Sequence, residues 1–280
     1  MGWIDGRLAP LTQAGIAVDD PAFHAGVGVF ETIALRDGRL LELDQHLVRL
    51  RHAAAYLDVP LPDTLAEGVE KVRALDHPAF AWIKIVATRG GRCAVFGGTL
   101  DPEEYGRSMT AVLVPWRRNP RSPLNGLKTL NYADSVLGAE YARRAGADEG
   151  LWLNTRGHLA EGCTSNLFIV EGRRLFTPAV RDGVLPGVVR GLVLESAREL
   201  GYVIHEGKVR LLRLEQAREA FLTSSLRAVR PLVAFQGRPI GGGVPGAATR
   251  ELAEAVAGAR GLPDAGVAFR RHRDGEVDTS

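Results

Sequence analysis

The 280-residue sequence has few of the features that mark secreted, metal-binding or membrane proteins. It contains only two cysteines, Cys93 and Cys163, which are too few for a disulfide framework and lack the spacing of a metal site. No uncharged apolar run is long enough to span a bilayer, and the first residues, MGWIDGRL, lack the apolar segment of a signal peptide. The net charge is only +2, from 35 basic and 33 acidic residues, which gives no reason to expect nucleic acid or a membrane surface as a partner. We therefore expect a globular protein of the reducing cytoplasm without a bound metal.

The composition, 45% hydrophobic and 24% charged residues, is typical of a globular chain with one large domain or two ordinary ones. The segment from Pro115 to Pro123 (PWRRNPRSP) combines three prolines with few apolar residues and is the best candidate for a linker. We accordingly predict a small α+β domain over residues 1–115, a linker over 116–123 and a larger domain over 124–280.

Turn residues between apolar segments predict two hairpins in the first domain, one at Asp5-Gly6 and one around Asp37-Gly38. An apolar stripe in DQHLVRLRHAAAYL predicts a helix capped by Asp44, and a second helix follows at about 63–75. The segments FAWIKIVATRGGR and MTAVLVP are predicted strands of this domain.

In the second domain, a helix is predicted from Asp134 to Gly146, where the glycine ends it. Hairpins follow, and helices are predicted within Val184–Gly201 and over 245–258. The charged tail from Arg270 is expected to fray.

The stretch Gly126–Tyr132 (GLKTLNY) holds the chemically most interesting lysine. Period-two alternation places Lys128 and Leu130 on one face of a predicted short strand, just before the helix at Asp134. A buried lysine has a lowered pKa and serves as a Schiff-base nucleophile, whereas most strand lysines face solvent. On this stretch alone the solvated interpretation is favoured.

Four further features contain candidate functional residues. Glu161 follows an apolar strand in AEGCTSN, and the helix that opens at Gly187–Val189 presents bare N–H groups to an anion. Ser224-Ser225 is a hydroxyl pair in a turn, and Arg49 lies beside the apolar stripe of its helix. Each has an ordinary interpretation taken singly: a surface acid, a helix start, turn hydroxyls and a snorkelling arginine.

Taken together and in register, these motifs resemble the class IV aminotransferases, the pyridoxal-phosphate enzymes of fold type IV. That family includes D-amino acid and branched-chain aminotransferases, R-selective amine transaminases and aminodeoxychorismate lyase. The matching segments run from VDDPAFHAGVGVFETIALRDGRLLELDQHLVRL to VPGAATRELAEAV, with LKTLNY, ADEGLWLNTRGHLAEGCTSNLF, LPGVVR and FLTSS between them. The resemblance implies an α+β, two-domain fold of the D-amino acid aminotransferase type, with a small N-terminal α/β domain and a larger C-terminal domain. It also implies a homodimer in which a loop, here Phe23–Gly28, closes the partner's site.

The resemblance further implies the residues that bind pyridoxal 5'-phosphate. Lys128 matches the lysine that holds the cofactor covalently and then moves a proton, and Glu161 matches the acid that faces the pyridine nitrogen. A dianionic phosphate needs a guanidinium, a helix N-terminus and hydroxyl donors together. The residues that match these phosphate donors are Arg49, Val188, Val189, Ser224 and Ser225.

On the substrate side, the resemblance implies that Phe30 and Tyr132 lie near the ring. Arg89 and Arg92, in TRGGR, occupy the place of the basic loop that D-amino acid enzymes use for the substrate carboxylate. The sequence also departs from the family. Gly26-Val27-Gly28 replaces the usual Gly-Asp-Gly, and the arginine of the branched-chain pattern Phe-Glu-Gly-Ile-Arg is replaced by alanine in FETIA.

The resemblance leads us to predict a transaminase that moves an amino group between an amino acid and a 2-oxo acid. The missing arginine, the TRGGR loop and the short chain lean towards D-amino acids. Aminodeoxychorismate lyase, which releases pyruvate with the same lysine, and a branched-chain amino acid aminotransferase remain alternatives. A third alternative is a catalytically silent, cofactor-binding dimer, which the retained Lys128 and Glu161 argue against.

Overall fold

A computed structural model describes residues 1–262. Residues 263–280, which include the tail from Arg270, lie outside the described part. The described residues divide into two compact units, the first made of residues 1–102 and 126–134, and the second of residues 103–125 and 135–262. Within the described part, no helix has both the length and the apolar character needed to cross a bilayer.

The compact units differ from the boundaries predicted at residues 115 and 124. The predicted strand MTAVLVP belongs to the second unit as part of β7 (Met109–Arg118), because β7 pairs with two other strands of that unit. This strand also takes up the first residues of the predicted linker. The segment 126–134 belongs instead to the first unit, since its backbone is hydrogen-bonded there.

The first unit is built on a six-stranded sheet with the strand order β2-β1-β6-β5-β3-β4, in which all neighbours are antiparallel. The strands are β1 (Gly2–Ile4), β2 (Arg7–Ala9), β3 (Gly28–Arg36), β4 (Arg39–Leu40), β5 (Phe80–Thr88) and β6 (Cys93–Thr99). The helices are α1 (Pro21–Ala25), α2 (Leu43–Tyr56) and α3 (Leu65–Arg73), with short 3-10 turns at Leu11–Gln13 and Pro102–Glu104. The second of these turns straddles the boundary between the units.

Alternation along β3 and β5 separates the two faces of this sheet. Ile33, Ile83 and Ile85 are fully buried and pack in the core with residues of α2 and α3, as the period of two requires. The predicted hairpins are confirmed, with positive φ at both Asp5-Gly6 and Asp37-Gly38, as a type I′ turn demands.

The two predicted helices of the first unit are also present, but α2 begins differently. Asp44 lies in the first turn of α2, where its charge favours the helix dipole, and the N-cap position is taken by Glu42 in the left-handed region. No side chain caps this helix start.

The stretch around Lys128 is not a strand. Its only ladder contact among the described residues is an isolated bridge between Val29 and Thr129. Two backbone hydrogen bonds complete the attachment, from Phe30 N to Lys128 O at 3.2 Å and from Leu130 N to Gly28 O at 2.9 Å. The segment therefore lies along one end of β3 without extending into a regular ladder, which corrects the predicted strand.

The second unit contains a ten-stranded mixed sheet with the order β12-β11-β10-β14-β15-β7-β8-β9-β13, and β16 pairs with β15. In addition to β7, its strands are β8 (Glu149–Asn154), β9 (His158–Gly162), β10 (Asn166–Glu171), β11 (Arg174–Pro178), β12 (Val203–Gly207), β13 (Val209–Arg210), β14 (Glu219–Ser224), β15 (Ala228–Phe235) and β16 (Arg238–Pro239). Its helices are α4 (Ala133–Arg144), which starts within the first unit's segment, α5 (Val188–Glu199), α6 (Leu211–Glu215) and α7 (Ala247–Ala259), with a 3-10 turn at Val180–Asp182.

Helices α5 and α7 cover one part of this sheet through an apolar cluster that includes Phe168, Phe221, Val193 and Leu252. The Phe168 and Phe221 rings of adjacent strands β10 and β14 are stacked at 4.9 Å. Val189 at the start of α5 belongs to the same cluster, so this packing holds the start of the helix against the sheet.

Candidate active site

The Lys128 side chain lies against two aromatic rings of its own unit. Its Nζ is 4.2 Å from the centroid of the Phe30 ring and 5.4 Å from that of Tyr132. The two rings meet edge to face, with centroids 5.2 Å apart. The structure therefore brings together three of the residues predicted for the site, one reactive amine and two aromatic side chains.

Arg49 lies on the opposite side of β3 from the Phe30 side chain. It pairs with Glu31, the residue after Phe30, and successive side chains of a strand point to opposite faces of the sheet. Glu31 accepts hydrogen bonds from Arg49 Nε at 2.7 Å and Arg49 Nη2 at 2.9 Å, and its Oε2 is 2.7 Å from His46 Nδ1. Glu31 and His46 are fully buried. Burial raises the pKa of Glu31, but the hydrogen bonds from Arg49 and His46 outweigh it and lower that pKa to about 2. This ionised carboxylate fixes the plane of the Arg49 guanidinium.

Arg89 and Arg92, the predicted carboxylate-binding pair, each contact acids of the same unit. Arg89 pairs with Asp58 at 3.2 Å and is exposed. Arg92 pairs with Asp5 at 2.6 Å, and its Nε donates to the Gly15 carbonyl. In the structure these arginines tie loops of the first unit together.

Glu161 lies near the end of β9 and is buried, with a relative exposure of only 7%. Its Oε2 accepts hydrogen bonds from Leu185 N at 2.8 Å and Asn166 Nδ2 at 3.1 Å, and its Oε1 is 3.4 Å from Arg118 Nη1. The interpretation of Glu161 as a surface acid is therefore wrong. Its carboxylate is held in one orientation by two donors and faces a guanidinium.

Asn166 connects Glu161 with the predicted phosphate donors. Its Nδ2 also donates to the Leu185 carbonyl at 3.0 Å, and it pairs across the ladder with Thr223, the residue before Ser224. Gly187, the N-cap of α5, lies so close to Asn166 Oδ1 that any Cβ would collide with it. Within the second unit the structure thus brings Glu161 and the start of α5 to one amide side chain.

The start of α5 is free of side-chain capping. Gly187 has an extended backbone and makes no cap hydrogen bond, so the first amides of the helix, at Val188 and Val189, face outward from the helix end. Ser224 ends β14, and Ser225 follows it in the turn to β15, where its carbonyl accepts from Arg260.

A phosphate matches this donor set. Uncapped helix amides and hydroxyls in the second unit, and a preorganised guanidinium in the first, are the groups that bind a dianion. A half-buried lysine beside aromatic rings and a buried carboxylate are the groups that a pyridoxal ring requires. Each unit by itself therefore presents groups that pyridoxal 5'-phosphate would need.

The sequence predictions missed several residues that support the site. Glu31 and His46 hold Arg49, and Asn166 holds Glu161. Glu149 accepts hydrogen bonds from Thr164 Oγ1 at 2.9 Å and Ser165 Oγ at 2.8 Å, which fixes the loop between β9 and β10, and burial raises the pKa of its carboxyl. A charged residue inside an apolar strand, as in VFETI, was the available signal for Glu31.

Comparisons with known proteins agree with this geometry. The family model of class IV amino-transferases matches residues 28–235. A putative branched-chain-amino-acid aminotransferase of Methanocaldococcus jannaschii is 32% identical over 273 residues, covering 90% of this chain and 93% of that protein. D-alanine aminotransferase of Bacillus licheniformis is 26% identical over 272 residues, covering 90% of this chain and 94% of that protein.

Among solved structures, the branched-chain aminotransferase of Thermoproteus uzoniensis with norvaline superposes with a TM-score of 0.85 at 29% identity. The match covers 93% of this chain and 95% of that one. The mixed α/β architecture with two sheets is therefore the one predicted from the sequence.

Proposed function

Because this chain belongs to the class IV aminotransferases, enzymes that use pyridoxal 5'-phosphate, we propose that it moves an amino group between an amino acid and a 2-oxo acid with Lys128 as the reacting lysine. The observation that carries the proposal is the position of the Lys128 amine, 4.2 Å from the Phe30 ring centroid. The Phe30 and Tyr132 rings fix the place of this amine in the first unit, and a lysine amine is the group that forms a covalent link to a pyridoxal cofactor.

Each residue of the proposed site has a separate role in the reaction. When bound, pyridoxal phosphate supplies a ring that accepts electrons from the substrate Cα. Lys128 holds the cofactor and, once displaced, moves a proton at the substrate Cα with its Nζ. Glu161 holds a proton on the pyridine nitrogen, and Asn166 and Leu185 keep its carboxylate in place.

The phosphate is bound by Val188 and Val189 amides, by Ser224 and Ser225, and by Arg49. Arg49 acts from a fixed position because Glu31 holds two of its guanidinium nitrogens. A guanidinium already oriented in this way loses little rotamer entropy when it binds an anion.

For the substrate we propose an aliphatic amino acid of the branched-chain type. Two relatives with that printed name support it, one by sequence and one by structure. The lean towards D-amino acids stays a prediction that depends on the missing arginine of the branched-chain pattern, the TRGGR loop and the short chain. The ion pairs of Arg89 with Asp58 and of Arg92 with Asp5 weaken the second of these reasons.

A donor panel tests the substrate class. Paired L and D forms of leucine, valine and alanine are mixed with the purified protein, and the visible absorption band is followed for donor-dependent change. We expect change with L-leucine and L-valine, whereas change with D-alanine alone would favour the earlier prediction. Release of pyruvate from aminodeoxychorismate without an amino acceptor would identify the lyase alternative instead.

We also propose a homodimer, and the cytoplasmic location stays a prediction. In the first unit, Val18 and Phe23 are exposed apolar side chains in and next to the loop predicted to reach the partner. In the second unit, Val136, Leu137 and Trp116 are exposed as well. Exposed apolar surface of this kind is typical of an interface. Sedimentation that shows an active monomer at working concentration would contradict the dimer.

A further inference from the structure

Helix α7 is hydrogen-bonded near both of its ends to the strand β14. Near the start of the helix, Glu219 Oε2 accepts hydrogen bonds from Thr249 N at 2.8 Å and from Thr249 Oγ1 at 2.9 Å. At the other end, Arg260 Nη2 donates to the Ser225 carbonyl at 2.9 Å. Glu219 is the first residue of β14 and Ser225 directly follows its last, so one helix is attached to both ends of one strand.

The lengths of the two elements agree with these attachments. Between Thr249 and Arg260 the helix rises about 17 Å, and between Glu219 and Ser225 the strand extends over about 20 Å. The long Arg260 side chain covers the difference. Between the two attachments, residues of α7 and β14 pack in the same apolar cluster. The helix therefore lies along the strand, and its end holds the Ser225 carbonyl at a defined position.

The turn that follows β14 has a backbone that needs such support. Ser224 pairs with Ala228, so residues 225–227 alone connect β14 with β15. Ala228 has a φ of 52°, in the left-handed region that residues other than glycine rarely adopt and that persists only where neighbouring contacts hold it. Arg260 is only 4% exposed, and its hydrogen bond to Ser225 is charge-assisted and shielded from water. We count this bond among the contacts that hold the turn.

Ser224 and Ser225 are the hydroxyl donors of the proposed phosphate site. Helix α7 lies outside residues 28–235, which the family model matches, so that match assigns no role to Arg260. We propose that Arg260 is a positioning residue of the phosphate site, which holds the turn at Ser225 in the conformation that binds the cofactor phosphate. The inference rests on the proposed function, because that function assigns the phosphate to this turn.

The test uses the full chain, as holoenzyme and as apoprotein, with three variants. Arg260→Met removes the donor but keeps a long side chain, and Arg260→Lys keeps the positive charge. Arg250→Met removes an exposed arginine from the same helix and is the matched control. The ligands are pyridoxal phosphate and pyridoxal, which lacks the phosphate. Hydrogen exchange of residues 224–228 is measured in the apoprotein.

We expect Arg260→Met to raise the Kd for pyridoxal phosphate about tenfold, which corresponds to about 1.4 kcal/mol, and to leave the Kd for pyridoxal within about twofold of the wild type. The amides of the turn should exchange faster in this variant than in the wild type. Arg260→Lys should lie between the two, because an ammonium offers the Ser225 carbonyl a donor without the reach and fork of the guanidinium. Arg250→Met should match the wild type in both measurements.

The proposal is overturned if Arg260→Met binds pyridoxal phosphate like Arg250→Met, or if it weakens the binding of both ligands equally, as a loss of general stability would. Thermal melting of each variant is measured alongside, and if Arg260→Met does not fold, Arg260→Lys is judged by the same criteria. Failure of the proposed function is seen separately, because the wild type would then hold no cofactor at Lys128, whereas hydrogen exchange in the apoprotein would still report the contact.

Discussion

Replacing Glu31 by glutamine should remove a large, pH-dependent contribution to the stability of the first unit. Glu31 is fully buried, and its carboxylate accepts three hydrogen bonds or ion pairs from Arg49 and His46. The pKa of Glu31 is lowered from 4.5 to about 2, despite the opposing effect of burial. At about 1.4 kcal/mol per unit of pKa, this difference is worth on the order of 3 kcal/mol.

The direction of the pH dependence of stability follows from the direction in which the pKa of Glu31 is shifted. The unfolded chain protonates Glu31 near its ordinary pKa of 4.5, whereas the folded chain does so only near 2. The stabilisation is therefore fully present above 4.5 and is lost as the pH falls towards 2. At pH 3.5 about 1.4 kcal/mol of it should be gone.

Urea unfolding followed by circular dichroism at pH 7, 5 and 3.5 measures this effect. The free energy of unfolding of Glu31→Gln should lie about 3 kcal/mol below the wild type at pH 7, and the gap should narrow at pH 3.5. The control is Glu67→Gln, which removes an exposed partner of Lys71 and should change stability by less than about 1 kcal/mol. A gap at pH 7 no larger than that of the control, or a gap that does not change with pH, would refute the reasoning.

The other predictions concern the cofactor. Arg49→Ala should weaken retention of pyridoxal phosphate, measured by dialysis, because a phosphate donor is lost; unchanged retention with a much lower melting temperature would make Arg49 structural. Glu161→Gln should still bind the cofactor but slow the proton-transfer half-reaction by about two orders of magnitude, as for loss of other preorganised charges. The proton-transfer rate of Glu161→Asp should lie between the rates of the wild type and Glu161→Gln. Wild-type rates in stopped-flow traces of Glu161→Gln would exclude Glu161 from the site.

The sequence predicted turns, helices and strands correctly where the pattern depends only on neighbouring residues. The turns at Asp5-Gly6 and Asp37-Gly38, the apolar stripe of α2 and the alternation of β5 depend on neighbouring residues and are present in the structure. The division into units could not be read in this way. Prolines near residue 120 indicated a linker, but β7 continues to Arg118 because Arg117 and Arg118 pair with β8, a strand distant in sequence.

For the site too, the sequence predicted residues of local motifs but not contacts between residues distant in sequence. The motif around Lys128 indicated the reacting lysine and the aromatic residues beside it, which the structure brings together. Side chains that act through others were missed, because Asn166 and Glu31 gain their roles from contacts across the fold.

The most direct test of the account is to find which lysine carries the cofactor. The holoenzyme is reduced with borohydride, digested and mapped by mass spectrometry, and a chain with four lysines leaves four possible peptides. The account predicts the label on Lys128, and its loss together with turnover in Lys128→Ala. A label on Lys71, Lys84 or Lys208, with Lys128 unmodified, would contradict it.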